Sequence, residues 1–329
     1  VKAHLQALFK DGVPIIAVMA SGAVIRILAP LLEDKQVEPP VIAISENGVV
    51  AVPLLGGHHG ANALARELAI MLGGTAAITT AGDSRFGVAL DAPPEGYVLA
   101  NPENAKSVMA DLVAGAGVAL KGHAPWLVES GLGFADDGEV TLTVTERASM
   151  STANELVYHP KTLALGLGCE RGCDPEEAWA LARETLAGAG LAMEAVGVVC
   201  SLDVKANEAA VHYVAEQLGV PARFFDAATL EAETPRLKNP SDIVFAEVGC
   251  HGVAEGAALA AAGPVGELVV EKNKSTRATC SIARAPQLFT AATLPGRAGR
   301  GTLPGSGDAI VGVARGALRV RERQLARVE

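Results

Sequence analysis

The chain has 329 residues, half of them apolar and 19% charged, with a formal net charge of −10. Such a length accommodates about two or three domains, the acidic balance argues against nucleic acid as a partner, and no uninterrupted apolar run reaches transmembrane length. Aromatics make up only 4%, which favours closely packed α/β layers over an all-β sandwich, and five cysteines at irregular spacing read as reduced thiols of a cytoplasmic protein.

VKAHLQALFKDG reads as an amphipathic helix, and Val13 to Ala20 as a buried strand. An α/β domain begins with a strand, so a first strand is expected to be missing ahead of Val1. Ser21 and Gly22 make a turn into the helix AVIRILAPLLED, which carries Arg26; Lys35 follows its end and Pro39-Pro40 block continuation. VIAIS and VVAVPLL flank Glu46-Asn47-Gly48, a strong hairpin signal.

Leu54 to Asp83 reads as strand end, glycine turn, helix and strand. Gly56 and Gly57 allow a sharp turn with backbone N–H groups close to a ligand, and His58 and His59 follow at once. Asn62 opens a helix whose apolar face is Leu64, Leu68, Met71 and Leu72, and Gly73-Gly74 end it. TAAITT is the next strand, with Thr79, Thr80 and Asp83 at or past its end. Ligands collect outside the C-terminal ends of parallel strands, which makes this stretch a first candidate site. The turn is neither GxGxxG nor a P-loop, so a nucleotide role is weakly supported.

From Ser84 to about Pro160 the sequence suggests a small α+β segment. A helix is expected over Glu103 to Leu112, with Asn101 as N-cap and Pro102 at N1. GVALKG, PWLVES and EVTLTVTERA follow as short elements, and Trp126 reads as a packing residue. A second α/β unit runs from Lys161 to Ala285. TLALGLGC is a strand leading into Cys169-Glu170-Arg171-Gly172-Cys173, and Asp174 with Pro175 opens a helix. AVGVVCSL is a strand ending at Asp203 to Glu208, RFFD a short strand, Thr229 to Ser241 an exposed helix and loop, and Val253 to Ala262 an Ala-rich helix. GELVVEKNKSTRATCSIARA reads as a hairpin with Lys272, Asn273 and Lys274 near its turn. From Pro286 onward PGRAGRGTLPGSGD is a linker by composition, followed by a lone basic helix. The expected class is therefore two α/β domains (1–83 and 161–285) with a small α+β middle segment between them (84–160) and a Gly/Pro/Arg-rich tail (286–329).

The strand-end loops offer Arg171, Lys205, Lys272 and Lys274 as cations, with Arg26 and Lys35 in the first domain, and His58, His59, Asp83, Glu170, Asp203 and Glu208 as acids and bases. Such a cation set suits a polyanionic small molecule, carboxylates above all. The Cys169/Cys173 pair has no second pair to complete a zinc site, and G-x-S-x-G is absent.

GAVIRILAPLLEDK, LLGGHHGANALARELAIMLGG and ITTAGD closely resemble the N-terminal domain of the cobalamin-biosynthesis CbiG family, the cobalt-precorrin 5A hydrolases. LALGLGCERG, SLDVKANE and VAEGAALAAAG followed by ELVVEKNKSTRATCSIA resemble that family's C-terminal domain, which also occurs alone as CobE. The resemblance covers about Ala3 to Ala285. It implies a tetrapyrrole substrate with carboxylate arms and a δ-lactone, opened by water with loss of acetaldehyde. It implies no cofactor, because cobalt arrives within the substrate, and no protein metal site. In that frame His58, Lys205, Glu208 and Asp83 form the catalytic set, His58 or Glu208 activating water and Lys205 or a Gly56/Gly57 N–H stabilising the oxyanion. Ser21, Arg26, Lys35, Gly56, Gly57, Asn62, Thr79, Thr80, Arg171, Asn207, Lys272 and Lys274 are the expected substrate-binding residues. The family also occurs fused ahead of a precorrin-3B C17-methyltransferase, so a corrin-pathway methyltransferase is an expected partner, and the other reading is a non-catalytic tetrapyrrole-binding module; neither nucleic acid nor membrane is expected as a partner.

Overall fold

The computed structural model describes residues 1–34, 37–57, 60–79, 85–149, 151–294 and 310–311. The chain forms an α/β protein of two units, one comprising Val1–Ala92 with Gly296–Glu329 and the other Pro93–Pro295.

The first unit is built on a sheet of order β14-β1-β2-β3-β4. Helix α1 (Lys2–Lys10) buries Leu5 and Phe9, and α2 (Ser21–Leu28) buries Val24 and Leu28, each pair four residues apart on one helical face. Strand β1 (Ile15–Val18) pairs in parallel with β2 (Val41–Ile44), whose residues are buried throughout. Val41 and Ala43 of β2 pack with α1 and α2, and Ile42 and Ile44 with α3 (Ala61–Leu72), because successive strand side chains face opposite sides of the sheet. The hairpin from β2 to β3 (Val50–Leu55) turns at Glu46-Asn47-Gly48, where Asn47 Oδ1 accepts hydrogen bonds from Val49 N (3.1 Å) and Ser45 Oγ (2.7 Å).

Three expectations need correction here. On α3, Leu64, Leu68 and Leu72 pack against the sheet, but Met71 is largely exposed, and Ala61, Ala65 and Ala69 are the fully buried positions; small side chains let the helix lie close to the sheet. TAAITT forms only the two-residue edge strand β4 (Thr75–Ala76), paired solely with Val50 and Ala51, so Thr79 lies in exposed irregular chain past it. Within the tail, Ile310–Val311 form β14, a parallel strand beside Ile16 and Ala17; the rest of the expected linker and basic helix lies outside the described residues.

The second unit carries two sheets. The smaller has order β5-β8-β7-β6, from β5 (Tyr97–Leu99), β6 (Val118–Lys121), β7 (Val140–Val144) and β8 (Glu155–Pro160), with α4 (Ala105–Ala114) and α5 (Pro125–Val128) between strands. Trp126 of α5 packs edge-on against Tyr97 and Tyr158. Asn101 does not cap a helix: its buried amide donates to Glu155 O (2.6 Å) and accepts from Val157 N (2.9 Å), joining the preceding chain to β8, and Pro102–Asn104 form a 3-10 turn ahead of α4. Glu146 ties this layer to the larger sheet by an ion pair with Arg284 (2.7 Å) and a hydrogen bond from Thr162.

The larger sheet has order β11-β10-β9-β13-β12. Strands β9 (Leu163–Cys169) and β10 (Val196–Leu202) are parallel and buried almost end to end, as continuous apolar runs covered on both faces must be. Helices α6 (Pro175–Gly188) and α7 (Ala209–Gln217) cover one face, and α10 (Val253–Ala262) the other. A Cβ on Gly166 of β9 would collide with the carbonyl of Ala254, so glycine there permits α10 to lie directly on the strand. Strand β11 (Ala222–Phe225) and α8 (Ala227–Ala232) follow α7, and Leu230 and Leu237 are buried in a stretch read as exposed. Helix α9 (Asp242–Val248), absent from the sequence reading, buries no residue. Strands β12 (Glu267–Lys274) and β13 (Ala278–Arg284) form the hairpin, with Ala278 opposite Cys169.

Candidate functional site: a cation-lined cleft at the strand ends

Topology decides where the loops of the second unit meet. Parallel β9 and β10 place their C-terminal ends, and hence the loops 170–172 and 203–205, on one edge of the sheet. Strand β13 runs antiparallel to β9, so the β12–β13 turn, about a hundred residues later in sequence, returns to the same edge. Val244, Glu247 and Val248 of α9, with His251 to Glu255 leading into α10, supply most of the remaining wall. The result is a cleft of about 480 Å³, within the range of small-molecule sites.

Arg171, Lys205, Lys272, Lys274 and Arg277 line this cleft against the acids Glu170, Glu247 and Glu255, a cationic excess in a chain that is acidic overall. Two of these cations also hold the walls. Arg277 pairs with Glu170 (3.0 Å) and donates to the carbonyls of Gly172 (3.1 Å) and Arg171 (3.0 Å), which closes the β9 loop over the hairpin turn. Lys272 Nζ donates to Asn239 O at 2.9 Å. Arg171, Lys205 and Lys274 form no ion pair among the described residues and are the cations available to a ligand.

Carboxylates beneath the cleft set its shape. Glu255, buried in the first turn of α10, accepts from Lys238 N (2.7 Å), Asn239 N (3.0 Å), Asn239 Nδ2 (2.9 Å) and Lys272 N (2.9 Å). Burial alone would raise its pKa, but the bonds from Asn239, Lys272 and Lys238 outweigh that and hold it below the usual carboxylate value. Glu177 accepts from Ser275 Oγ (2.6 Å) and Arg277 N (2.7 Å), which fixes the hairpin turn and lowers its pKa, the serine bond most strongly. His251 lines the cleft with its Nδ1 on Glu231 (2.9 and 3.0 Å) and its ring stacked on Phe245 at 4.4 Å. That hydrogen bond is the main cause of a lowered Glu231 pKa.

Glu255, Glu177, Arg277 and His251 were not singled out from sequence. A lone acid inside the Ala-rich run of α10 was a usable signal for Glu255. Nothing local marks the other three, because their partners lie far away in the chain. Cys169 stands at the cleft with its thiol pushed up to about 11 by burial, so it is a poor nucleophile.

Of the sequence-selected residues, Arg171, Lys205, Lys272 and Lys274 therefore come together. Glu208 does not line the cleft; its carboxylate accepts from Gly172 N at 2.9 Å, clamping the β9 loop to the start of α7, and Asn207 is exposed beside it. In the first unit, Ser21 lines a separate cleft of about 600 Å³ with Ser45 and Glu46 at the ends of β1 and β2. Arg26 turns back onto its own helix, its Nη1 donating to Gly22 O at 3.2 Å. A Cβ on Gly56 would strike the Pro39–Pro40 backbone, so that glycine is required for chain packing whatever its N–H contacts; Gly57 follows it, and Asn62 is half-buried in the first turn of α3. His58, His59, Asp83, Lys35 and Thr80 lie outside the described residues.

Residues 3–83 match the model of the cobalamin synthesis G N-terminal domain, and residues 163–283 that of the cobalamin synthesis G C-terminus. A Priestia megaterium protein named cobalt-precorrin-5A hydrolase is 30% identical over 310 residues, covering 87% of this chain and 82% of its own. The chain belongs to the cobalamin synthesis G family. A Salmonella typhimurium cobalt-precorrin-5A hydrolase is 35% identical over 243 residues, 66% of this chain and 67% of that protein. Protein CobE of a Sinorhizobium species is 55% identical over 121 residues, which cover 37% of this chain and 79% of that protein. The family assignment makes this a protein of cobalamin biosynthesis. Among the described residues no single helix is long and apolar enough to cross a membrane, and no group of three or more His, Cys, Asp or Glu forms a metal site.

Proposed function

We propose that this cobalamin synthesis G protein hydrolyses the δ-lactone of cobalt-precorrin 5A and releases acetaldehyde, giving cobalt-precorrin 5B. The observation that carries the reading is the convergence of Arg171, Lys205 and Lys274 on one cleft, in a chain 30–35% identical to proteins named for that reaction. A tetrapyrrole with carboxylate arms offers the complementary charges, and the substrate brings its own cobalt, so the protein supplies binding and acid–base chemistry alone.

In this reading Arg171 and Lys274 hold peripheral carboxylates, with Lys272 fixed on Asn239 as a third contact. Water adds to the lactone carbonyl, Lys205 stabilises the tetrahedral oxyanion, and the ring C–O bond breaks to leave a carboxylate and an alcohol. The alcohol then loses its proton as the adjoining carbon–carbon bond breaks, its electron pair stays on the macrocycle, and acetaldehyde departs. Of the sequence candidates for the base that activates water, Glu208 belongs to the same unit as this cleft.

One observation favours a second reading. The Glu208 carboxylate holds Gly172 N and does not line the cleft, so it is not placed to act on a ligand there. The alternative is a non-catalytic module that binds the tetrapyrrole and passes it to a corrin-pathway methyltransferase. Anaerobic incubation with cobalt-precorrin 5A, with aldehyde followed by a coupled dehydrogenase, decides between them. Stoichiometric acetaldehyde, lost in Lys205→Ala, supports the hydrolase; a corrinoid retained and returned unchanged supports the module.

A further inference from the structure

We propose that His251 is the axial ligand to the cobalt of the tetrapyrrole held in this cleft, with Glu231 as the carboxylate that orients it. The inference rests on the reading of the cleft as a corrinoid site and extends it to a residue which that reading does not use.

The tautomer follows from the hydrogen bonds. Nδ1 faces both oxygens of Glu231, at 2.9 and 3.0 Å, and the backbone N–H of His251 donates to the same carboxylate at 3.0 Å. An ionised carboxylate only accepts, so Nδ1 carries a proton, and in the neutral form of the ring the lone pair lies on Nε2. Asp242 Oδ1 lies 3.5 Å from Nε2, a long ion-pair contact from a side chain that is fully exposed and able to swing away when a ligand arrives. A metal-bound histidine characteristically donates its other ring N–H to a carboxylate, which fixes the ring and raises its basicity. The Glu231–His251 pair has that arrangement, and imidazole is a suitable ligand for a first-row transition metal.

The surroundings fit a macrocycle better than a free ion. Val244, Val248 and Val253 line the same cleft, and Ile243 and Phe245 stand exposed on α9, a helix that buries none of its residues in the protein. Phe245 stacks on the His251 ring with 22° between the planes and braces it. An apolar wall carrying one imidazole, bordered by Arg171, Lys205 and Lys274, matches a flat ring with a metal at its centre and carboxylates at its edge. The ring nitrogens supply the equatorial ligands, so one protein nitrogen suffices and no cluster of protein ligands is required.

The test uses cob(II)yrinic acid, a cobalt corrin with free carboxylate arms and no attached base, added to the full chain under anaerobic conditions. Its unpaired electron lies along the axial direction, so an axial nitrogen splits each cobalt line of the electron paramagnetic resonance spectrum into a triplet. We expect that splitting in the bound complex, and its conversion to doublets when histidine carries the heavy nitrogen isotope. In His251→Asn, whose amide preserves the donor to Glu231 but offers no ligating nitrogen, the corrinoid stays bound and the splitting disappears. Glu231→Gln should weaken ligation about 10- to 100-fold. A bound corrinoid with unsplit lines overturns axial ligation and leaves the polycarboxylate cleft standing. Splitting that persists in His251→Asn overturns the assignment to this residue. Failure of the chain to retain cob(II)yrinic acid overturns the cleft reading and this inference with it.

Discussion

The two units end their parallel strands in clefts of similar size and opposite chemistry. In the first unit the ends of β1 and β2 enclose about 600 Å³ lined by Met19, Ser21, Ser45, Glu46 and aliphatic residues, with no cation among the described lining residues. In the second, about 480 Å³ is lined by Arg171, Lys205, Lys272, Lys274 and Arg277. A parallel sheet creates the hollow in both cases; the difference comes from what the later chain adds to its rim. The second unit brings a hairpin turn and the start of α10 to the strand ends and locks them there with the carboxylates of Glu177 and Glu255. The lesson is that strand order sets where a ligand can bind, and long-range carboxylate–amide contacts set which ligand.

Removing those contacts should break the comparison most strongly. Glu255→Ala leaves the amides of Lys238, Asn239 and Lys272 without their acceptor and should cost about 3 kcal/mol or more, seen as a lower urea midpoint for the second unit. Glu255→Gln, which keeps one acceptor oxygen, should lose less.

The next effect is on binding. Arg171→Ala or Lys205→Ala should each weaken cobyrinic acid about 10- to 100-fold by equilibrium dialysis, as loss of a charge-assisted hydrogen bond predicts, with the melting temperature nearly unchanged. Ser21→Ala, in the cation-free cleft, should change that affinity little. A larger loss from Ser21→Ala than from Arg171→Ala would reverse the assignment of the two clefts.

Acid should loosen the second unit's cleft through its depressed carboxylates. Glu177 has a folded pKa below its ordinary 4.5, so its stabilisation is complete above that value and is lost as pH falls through the lower folded value. Glu231 and Glu255 shift the same way and share the window. Glu177→Gln should therefore lower the melting temperature at neutral pH and flatten its fall in acid, read from melting curves across the carboxylate range.

The smallest effect concerns the thiols. Burial pushes Cys169 up to about 11 and Cys200 and Cys280 up to about 12, so a thiol reagent at neutral pH should label the native protein slowly and all five cysteines once it is unfolded. Rapid loss of corrinoid binding on labelling would place Cys169 in ligand contact.

Much of the fold is local and was legible. The Asn47-Gly48 hairpin, the Asp174-Pro175 helix start and the apolar runs of β9 and β10 are each specified within about ten residues, by turn geometry, capping or hydrophobic period. Asn101 was misread because its sequence neighbourhood is that of a cap, while its amide is consumed by β8, more than fifty residues away. The short helix α9 escaped notice because its sequence, DIVFAEV, is too brief for periodicity and buries nothing.

By itself, then, the sequence determined the α/β class, the family and the identity of the cations Arg171, Lys205, Lys272 and Lys274, since residue type, turn chemistry and hydrophobic period are written in adjacent positions. Only the tertiary structure decided that these cations share one cleft, that Arg277 and Glu208 act as clamps on its loop, and that His251 stands within it on Glu231. Those relations depend on strand order and on hydrogen bonds between residues 20 to 107 positions apart, a separation that no local pattern encodes.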